Sequence, residues 1–372
     1  MDTIASVNEV ERGCLIIADI GGYTKYLTGV ELEHSTDIIA DLINTVVDQI
    51  SGVFTLSKLE GDAVFSYAPD ARAAEGASVV TAIESCYFAF RKRQVQIDRA
   101  TSCTCDACSR IPTLDLKFVV HHGRYAIREM AGSQELVGSD VILVHRLLKN
   151  EIKETTGLNG YAFFSGDCLE HYGLSASAMT LASHTETYDD VGEVPGWVLD
   201  LEMRWAEEQE RREVVVSPDD AKAMTLTYDM PGPAGLVWEH LTSPSKRLQW
   251  QEDTLDLKQT NPRGSRGVGT TNHCVHGKSA VYEEILDWKP YRYLTERSTT
   301  PMGPMLMMFE LTPNAESTRT TVVVRIKPEG GLKQKLMLKA FGKKMSEGFD
   351  KGMANLLGML EAELKEPAAT PG

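Results

Sequence analysis

Cys14-Leu-Ile-Ile-Ala-Asp-Ile-Gly-Gly-Tyr-Thr24 decides how the first half of this 372-residue chain is read. An Ile-rich apolar run ends at Asp19 and a Gly-Gly pair, which predicts a buried strand entering a tight turn. The second informative stretch is Lys58-Leu-Glu-Gly-Asp-Ala-Val-Phe65. Its Glu60-Gly61-Asp62 lies between apolar segments 53–59 and 63–67, which predicts a hairpin with Asp62 at its tip. Asp19 and Asp62 would then sit on neighbouring strands. Two such carboxylates suit a pair of divalent cations that clamp a polyphosphate.

Outward from these segments the pattern is regular. Ile38, Ile39, Leu42, Ile43, Val46, Val47 and Ile50 repeat at helical spacing, giving a helix over about 30–50. A second helix is expected over 73–96, a strand over 114–122 and a helix from 141 to 149. Further strands are expected at 161–165 and 197–201. The order β-α-β-β-α-β is ferredoxin-like, and the fold class is α+β. Residues 202–213 are nearly all charged around Met203 and Trp205 and read as a solvated helical linker.

These segments resemble the class III nucleotidyl cyclases over about residues 13–200. That family shows an apolar strand, Asp-Ile, a short turn, an aromatic residue and Thr, then a later Lys-x-x-Gly-Asp. The resemblance implies Asp19, Asp62 and the Ile20 carbonyl as ligands of two Mg or Mn ions. Gly21, Gly22, Tyr23 and Thr24 would form the substrate turn. Lys58 holds the position that reads adenine in adenylate cyclases, and Glu135, three before Gly138, holds the other base-reading position. Arg146 holds the position of the arginine that stabilises the transition state. Its expected partner four residues earlier is Asn in the family but Ile142 here. Asp140, His145 and Ser139 are the polar residues nearby. The implied activity is conversion of ATP to cyclic AMP and pyrophosphate, in a homodimer whose two chains complete each site. The alternative is a degenerate cyclase domain that binds nucleotide without turnover.

Cys103-Thr-Cys105-Asp-Ala-Cys108 places three thiols in six residues. Three thiolates suit zinc, with Cys86, His121 or His122 as the fourth ligand. The other reading is a reduced loop with incidental thiols. Cys14, Cys168 and Cys274 sit singly in apolar contexts and read as core residues.

The second half predicts a strand at 223–228, a short helix at 233–241, several strands and a long helix over about 332–364. Leu338, Phe341, Met345, Phe349, Met353, Leu356 and Leu360 make its apolar stripe. Gly342, Gly348, Gly352 and Gly358 on that helix suggest a cavity beneath it. The order of elements, with Val237-Trp238 and Tyr282–Trp288, resembles the START-like, polyketide-cyclase-like helix-grip family over about 214–364. That resemblance implies an apolar cavity for a lipid or other hydrophobic small molecule. Joined to the cyclase reading, it leads to the expectation that this ligand regulates the cyclase. Met302, Met305, Met307, Met308, Met337, Met345, Met353 and Met359 suit an adaptable pocket or an ordinary core. His240, His273, His276, Glu283 and Glu284 are candidate polar groups in it. Lys333, Lys335, Lys339, Lys343 and Lys344 read as a solvated helix face, with an anionic partner as the other reading.

The expected division is a cyclase-like domain 1–201, a linker 202–213, a helix-grip domain 214–366 and a disordered tail 367–372. Net charge is −15. Residues 1–200 carry 15 basic and 29 acidic side chains, the remainder 23 and 24. That acidity argues against general nucleic-acid binding. No leader or membrane-spanning segment is read, and the odd count of seven Cys agrees with a reducing cytoplasmic setting.

Overall fold

The computed structural model describes residues 10–28, 30, 32–73, 75–100, 105–130, 132–220, 223–251, 254–276, 279–300, 303–330 and 332–365. The chain divides into two compact units, meeting at Glu210 and Arg211.

The N-terminal unit starts with β1 (Glu11–Gly21), α1 (Tyr23–Leu27) and α2 (Leu32–Ile50). The hairpin β2 (Thr55–Glu60) and β3 (Ala63–Pro69) follows, then α3 (Gly76–Ala100) and the single turn α4 (Asp106–Ser109). The long β4 (Asp115–Met130) turns back into β5 (Ser133–Val137), which leads to α5 (Ser139–Leu147) and α6 (Ile152–Thr156). The unit ends with β6 (Tyr161–Ser165), α7 (Gly166–Tyr172), α8 (Ala176–Met179), β7 (Ala182–Tyr188), β8 (Gly192–Asp200) and α9 (Leu201–Glu210). The sheet order is β2-β3-β1-β4-β6-β8-β7, with β5 beside the far end of β4. Its first four strands have the expected ferredoxin-like order, and only β4 and β6 run parallel.

The apolar run of β1 is continuous because both faces of the strand are covered. Cys14, Ile16, Ala18 and Ile20 pack in the cluster formed with α2 and α3. Leu15 and Ile17 face the other side, under Val141, Val144 and Leu147 of α5. Gly13 is needed where β3 comes closest, since a Cβ there would run into the Ala68 carbonyl oxygen.

Helix α9 corrects the expected solvated linker. Arg204 and Glu208 are buried. Arg204 Nε lies 3.2 Å from Glu84 Oε1, and the same guanidinium donates to the Met179 carbonyl at 3.2 Å. Trp205 packs against Phe88, with ring centroids 5.7 Å apart. A charged helix can dock when its long side chains lay their stems on apolar surface and their heads find partners. The boundary therefore falls after the helix. The tail 367–372 lies outside the described residues.

The C-terminal unit contains β9 (Met224–Pro231), α10 (Ala234–Thr242), α11 (Pro244–Trp250), β10 (Thr254–Thr260), β11 (Thr271–His276) and β12 (Ser279–Lys289). It continues with β13 (Tyr293–Thr300), β14 (Gly303–Pro313), β15 (Arg319–Pro328) and the 34-residue α12 (Leu332–Lys365). The seven strands form an antiparallel sheet in the order β10-β11-β12-β13-β14-β15-β9. Met353, Leu356 and Leu360 of α12 are buried with Trp238, Val322 and Val324. This is the expected helix-grip arrangement.

Candidate functional site

Asp19 is the last residue of β1 paired with β3, opposite Ala63, so the β2–β3 turn places Asp62 beside it. The Ile20 amide donates to the Asp62 carbonyl at 3.3 Å and fixes that approach. The turn itself depends on Gly61 at φ 69° and Gly22 at φ 88°, both in the left-handed region. Lys117 Nζ, on β4, lies 3.3 Å from Asp19 Oδ2. Burial and the neighbouring Asp19 charge push the Asp62 carboxyl up to about 6. Two hard oxygen donors in mutual repulsion, with one lysine near them, fit a divalent cation. A small cavity of about 170 Å³ adjoins the turn, lined by Gly21, Gly22, Asp115, Lys117, Lys153 and Tyr161 among others.

The base-reading candidates meet. Lys58 Nζ donates to Glu135 Oε2 at 3.0 Å and lies 3.2 Å from Glu60 Oε1. Glu135 reaches it because β5 pairs with the extension of β4, Glu135 lying opposite Arg128. Arg146 is turned toward Asp190 of the β7–β8 loop at 2.7 Å. Ile142 is 60% exposed. Of its polar neighbours, Asp140 accepts the Arg124 amide at 2.6 Å. His145 lies 3.1 Å from Glu60 Oε2. Both are held by the fold. Tyr23 is half-buried, while Gly22 and Thr24 are exposed.

The expected cysteine grouping changes. Cys103 lies outside the described residues. Cys105 and Cys108 gather with His34 of α2. The residues considered as a further ligand are engaged elsewhere. Cys86 Sγ is 3.8 Å from the Val46 carbonyl, His121 bonds Ser165 at 2.8 Å, and His122 bonds Asp70 at 2.8 Å. A second grouping, missed in the sequence, joins Asp70, His122 and His171. The two imidazoles stack at 3.5 Å. Only the fold brings these three distant positions together.

The C-terminal unit holds a cavity of about 340 Å³. Met305, Met307, Phe309, Met345 and Phe349 supply apolar wall, and Gly348 and Gly352 of α12 leave it room. Met308 instead takes the Val216 amide on its sulfur, and Met353 is core. Met302 and the side chain of Met337 lie outside the described residues, as do the side chains of Lys333, Lys335 and Lys339. Gly342 and Gly358 do not line the cavity. Of the expected polar groups, His276 and Glu283 line it. His240 pairs with Glu363, Glu284 with Arg297, and His273 is exposed.

The polar residues missed in the sequence are Arg247 and Glu296. Arg247 grips Glu283 through two bonds of 2.8 and 2.9 Å. Burial alone would raise the Glu283 carboxyl, but the guanidinium outweighs it and holds it below the usual range. Glu296 shares one arginine with Glu283 and is pushed up to about 8, by burial first and the Glu283 charge second. The other groups facing the cavity are His276 and Lys351, with Cys274 close to Arg247.

This carries a pH prediction. Between about 4.5 and 8 the unfolded chain ionises Glu296 while the folded chain keeps it protonated. Stability therefore falls as pH rises through that window. Glu296→Gln is expected to raise the melting temperature of the C-terminal unit at pH 8 and to leave it nearly unchanged near pH 4.5. Melts by circular dichroism at the two pH values measure the difference, and equal effects would refute a neutral Glu296.

Residues 222–361 match the family model described as "Polyketide cyclase / dehydrase and lipid transport", and residues 39–156 one described as "Protein of unknown function (DUF2652)". Among solved structures, the guanylyl cyclase Cya2 is 16% identical with a TM-score of 0.42, over 51% of this chain and 92% of that one. The adenylyl cyclase CyaB from P. aeruginosa is 18% identical with a TM-score of 0.37, over 56% of this chain and 100% of that one. Protein NE0264 from Nitrosomonas europaea is 20% identical with a TM-score of 0.32, over 40% of this chain and 99% of that one. No described helix is long and apolar enough to cross a membrane. Uncharacterized protein Rv2561/Rv2562 of Mycobacterium tuberculosis is 34% identical over 167 residues, 44% of this chain and 73% of the relative, and the chain belongs to the same family as that protein.

Proposed function

We propose that the N-terminal unit is a nucleotidyl cyclase that converts ATP to cyclic AMP and pyrophosphate, and that the C-terminal unit regulates it through a hydrophobic ligand. The observation that carries this reading is the Asp19–Asp62 pair at the strand end and hairpin tip, with Lys117 beside it. Asp19, Asp62 and the Ile20 carbonyl would hold Mg²⁺ or Mn²⁺, which when bound screens the polyphosphate and activates the ribose hydroxyl. The chain's own residues orient the rest. Lys58 offers a donor and Glu135 an acceptor, the complement of an adenine edge. Arg146 is held by one exposed ion pair, worth about 0–1 kcal/mol, and is cheaply released toward a phosphate. A homodimer would bring these groups to the Asp pair of the other chain. In the second unit, the apolar wall would take the body of a lipid-like ligand and the Arg247–Glu283–Glu296 group its polar end.

The test is product formation by the full chain, with each of the four nucleoside triphosphates in Mg²⁺ or Mn²⁺, with and without lipid extract. Metal-dependent cyclic AMP supports the reading, and no cyclic product under any condition overturns it.

Ile142 favours a second reading, a nucleotide-binding unit without turnover, because an exposed isoleucine cannot hydrogen-bond a developing charge. Ile142→Asn restores a donor and is expected to raise turnover about 10²-fold, the usual worth of one such group. Nucleotide binding by calorimetry, with no product from either protein, would favour the second reading.

A further inference from the structure

We propose that His34, Cys105 and Cys108 form a binding site for a thiophilic divalent cation, zinc first, separate from the Asp19–Asp62 pair. The three donors come from two places in the chain, α2 and the turn α4 with the Cys105 that precedes it, and their ligand atoms all lie within 4.8 Å of one another. His34 Nδ1 is 3.5 Å from Cys105 Sγ. With Zn–S near 2.3 Å and Zn–N near 2.05 Å, a tetrahedral ion sets that edge at about 3.5 Å. The His34–Cys105 edge thus already stands at the spacing that a bound ion requires, and Cys108 Sγ lies within 4.8 Å of both.

Burial grades across the site. Cys108 is buried, Cys105 half-buried and His34 exposed, which leaves one open side for entry and for a solvent ligand. The loop is fixed from beneath. Tyr26 of α1 is buried and its hydroxyl donates to the Ala107 carbonyl at 3.1 Å, between the two cysteines. Two sulfurs are soft donors and an imidazole is a borderline one, whereas the Asp pair offers hard oxygens. The two sites therefore select different metals, and bound zinc would tie α2 to the loop that follows α3.

The experiment uses the full-length protein, purified under reduction and stripped with chelator. Cobalt(II) is titrated in as the probe, because thiolate ligation gives charge-transfer absorption that carboxylate ligation lacks. Zinc is then added to displace it. One cobalt per chain with that absorption, displaced by zinc and protecting two thiols from a thiol reagent, is the expected result. His34→Ala and Cys105→Ser are expected to weaken binding at least about tenfold, and Cys105→Ser/Cys108→Ser to remove the absorption. Should a variant fail to fold, the wild-type titration and thiol protection still decide. No thiolate absorption in the wild type, a Cys105–Cys108 disulfide in its place, or affinity unchanged in all three variants would each overturn the proposal. None of these readouts depends on nucleotide turnover, so failure here and failure of the cyclase reading remain distinct.

Discussion

Arg247→Leu is expected to destabilise the C-terminal unit by about 3–5 kcal/mol, the usual consequence of removing one partner from a buried pair. Arg247 and Glu283 are both buried, and the guanidinium is the one cation bonded to Glu283 among the described residues. Without it Glu283 keeps the neutral donors Asn272, at 3.0 Å, and Cys274, and Glu296 loses the positive charge that offsets burial. Two carboxyl groups would then need protons at neutral pH. The loss should therefore grow as pH rises, since the unfolded chain ionises both freely. At about 2–4 °C per kcal/mol for a unit of this size, melting should fall by about 10 °C. Calorimetry at pH 5 and pH 8 measures it. A change below 1 kcal/mol at both would show that solvent, not the arginine, satisfies these acids. Arg247→Leu with Glu283→Leu should recover much of the loss, because the uncompensated charge is then gone.

Asp62→Asn and Asp19→Asn are each expected to lower metal-dependent turnover at least about 10³-fold. A catalytic cation contributes several kcal/mol of transition-state stabilisation, and each 1.36 kcal/mol is tenfold in rate. An amide keeps the size and the hydrogen-bonding oxygen of the side chain but removes the charge a cation needs. The fold should persist: Asp62→Asn removes one of two like charges held close together, and after Asp19→Asn Lys117 keeps its bond to the Leu148 carbonyl at 3.2 Å. The comparison control is Lys58→Ala, which should change nucleotide preference and KM more than the response to metal. Steady-state rates against Mn²⁺ concentration separate these cases. Turnover unchanged in both Asp variants would show that any cyclase chemistry lies elsewhere.

The central strand and the hairpin were legible because their signals are local. A continuous Ile-rich run that ends in Asp-Ile-Gly-Gly can be read within eleven residues. Lys58 and Glu135 were assigned by family position, and the fold brings them within 3.0 Å of each other. What escaped was non-local. His34 is an ordinary helix residue until α4 packs against α2. Arg247 and Glu296 are 49 positions apart in the numbering, and only sheet register and burial join them. Helix α9 was misjudged because charge was equated with solvation, whereas Arg204 is buried on its partners. The β4 strand ran longer than its apolar core because its extension is stabilised by β5, whose exposed sequence carries no strong alternation.

Both sheets pair their first strand with one far away in the chain. In the N-terminal unit, β1 takes one neighbour from residues 115–125, with Glu11 opposite Tyr125. In the C-terminal unit, β9 pairs only with β15, Met230 lying opposite Thr320. Each pairing closes a loop of roughly a hundred residues, and such distant contacts slow folding. During synthesis β9 therefore waits with an unpaired edge until the last strand leaves the ribosome, at about 5–20 residues per second. The interval of several seconds is when this edge is most open to mispairing, and truncation before residue 319 would make it permanent.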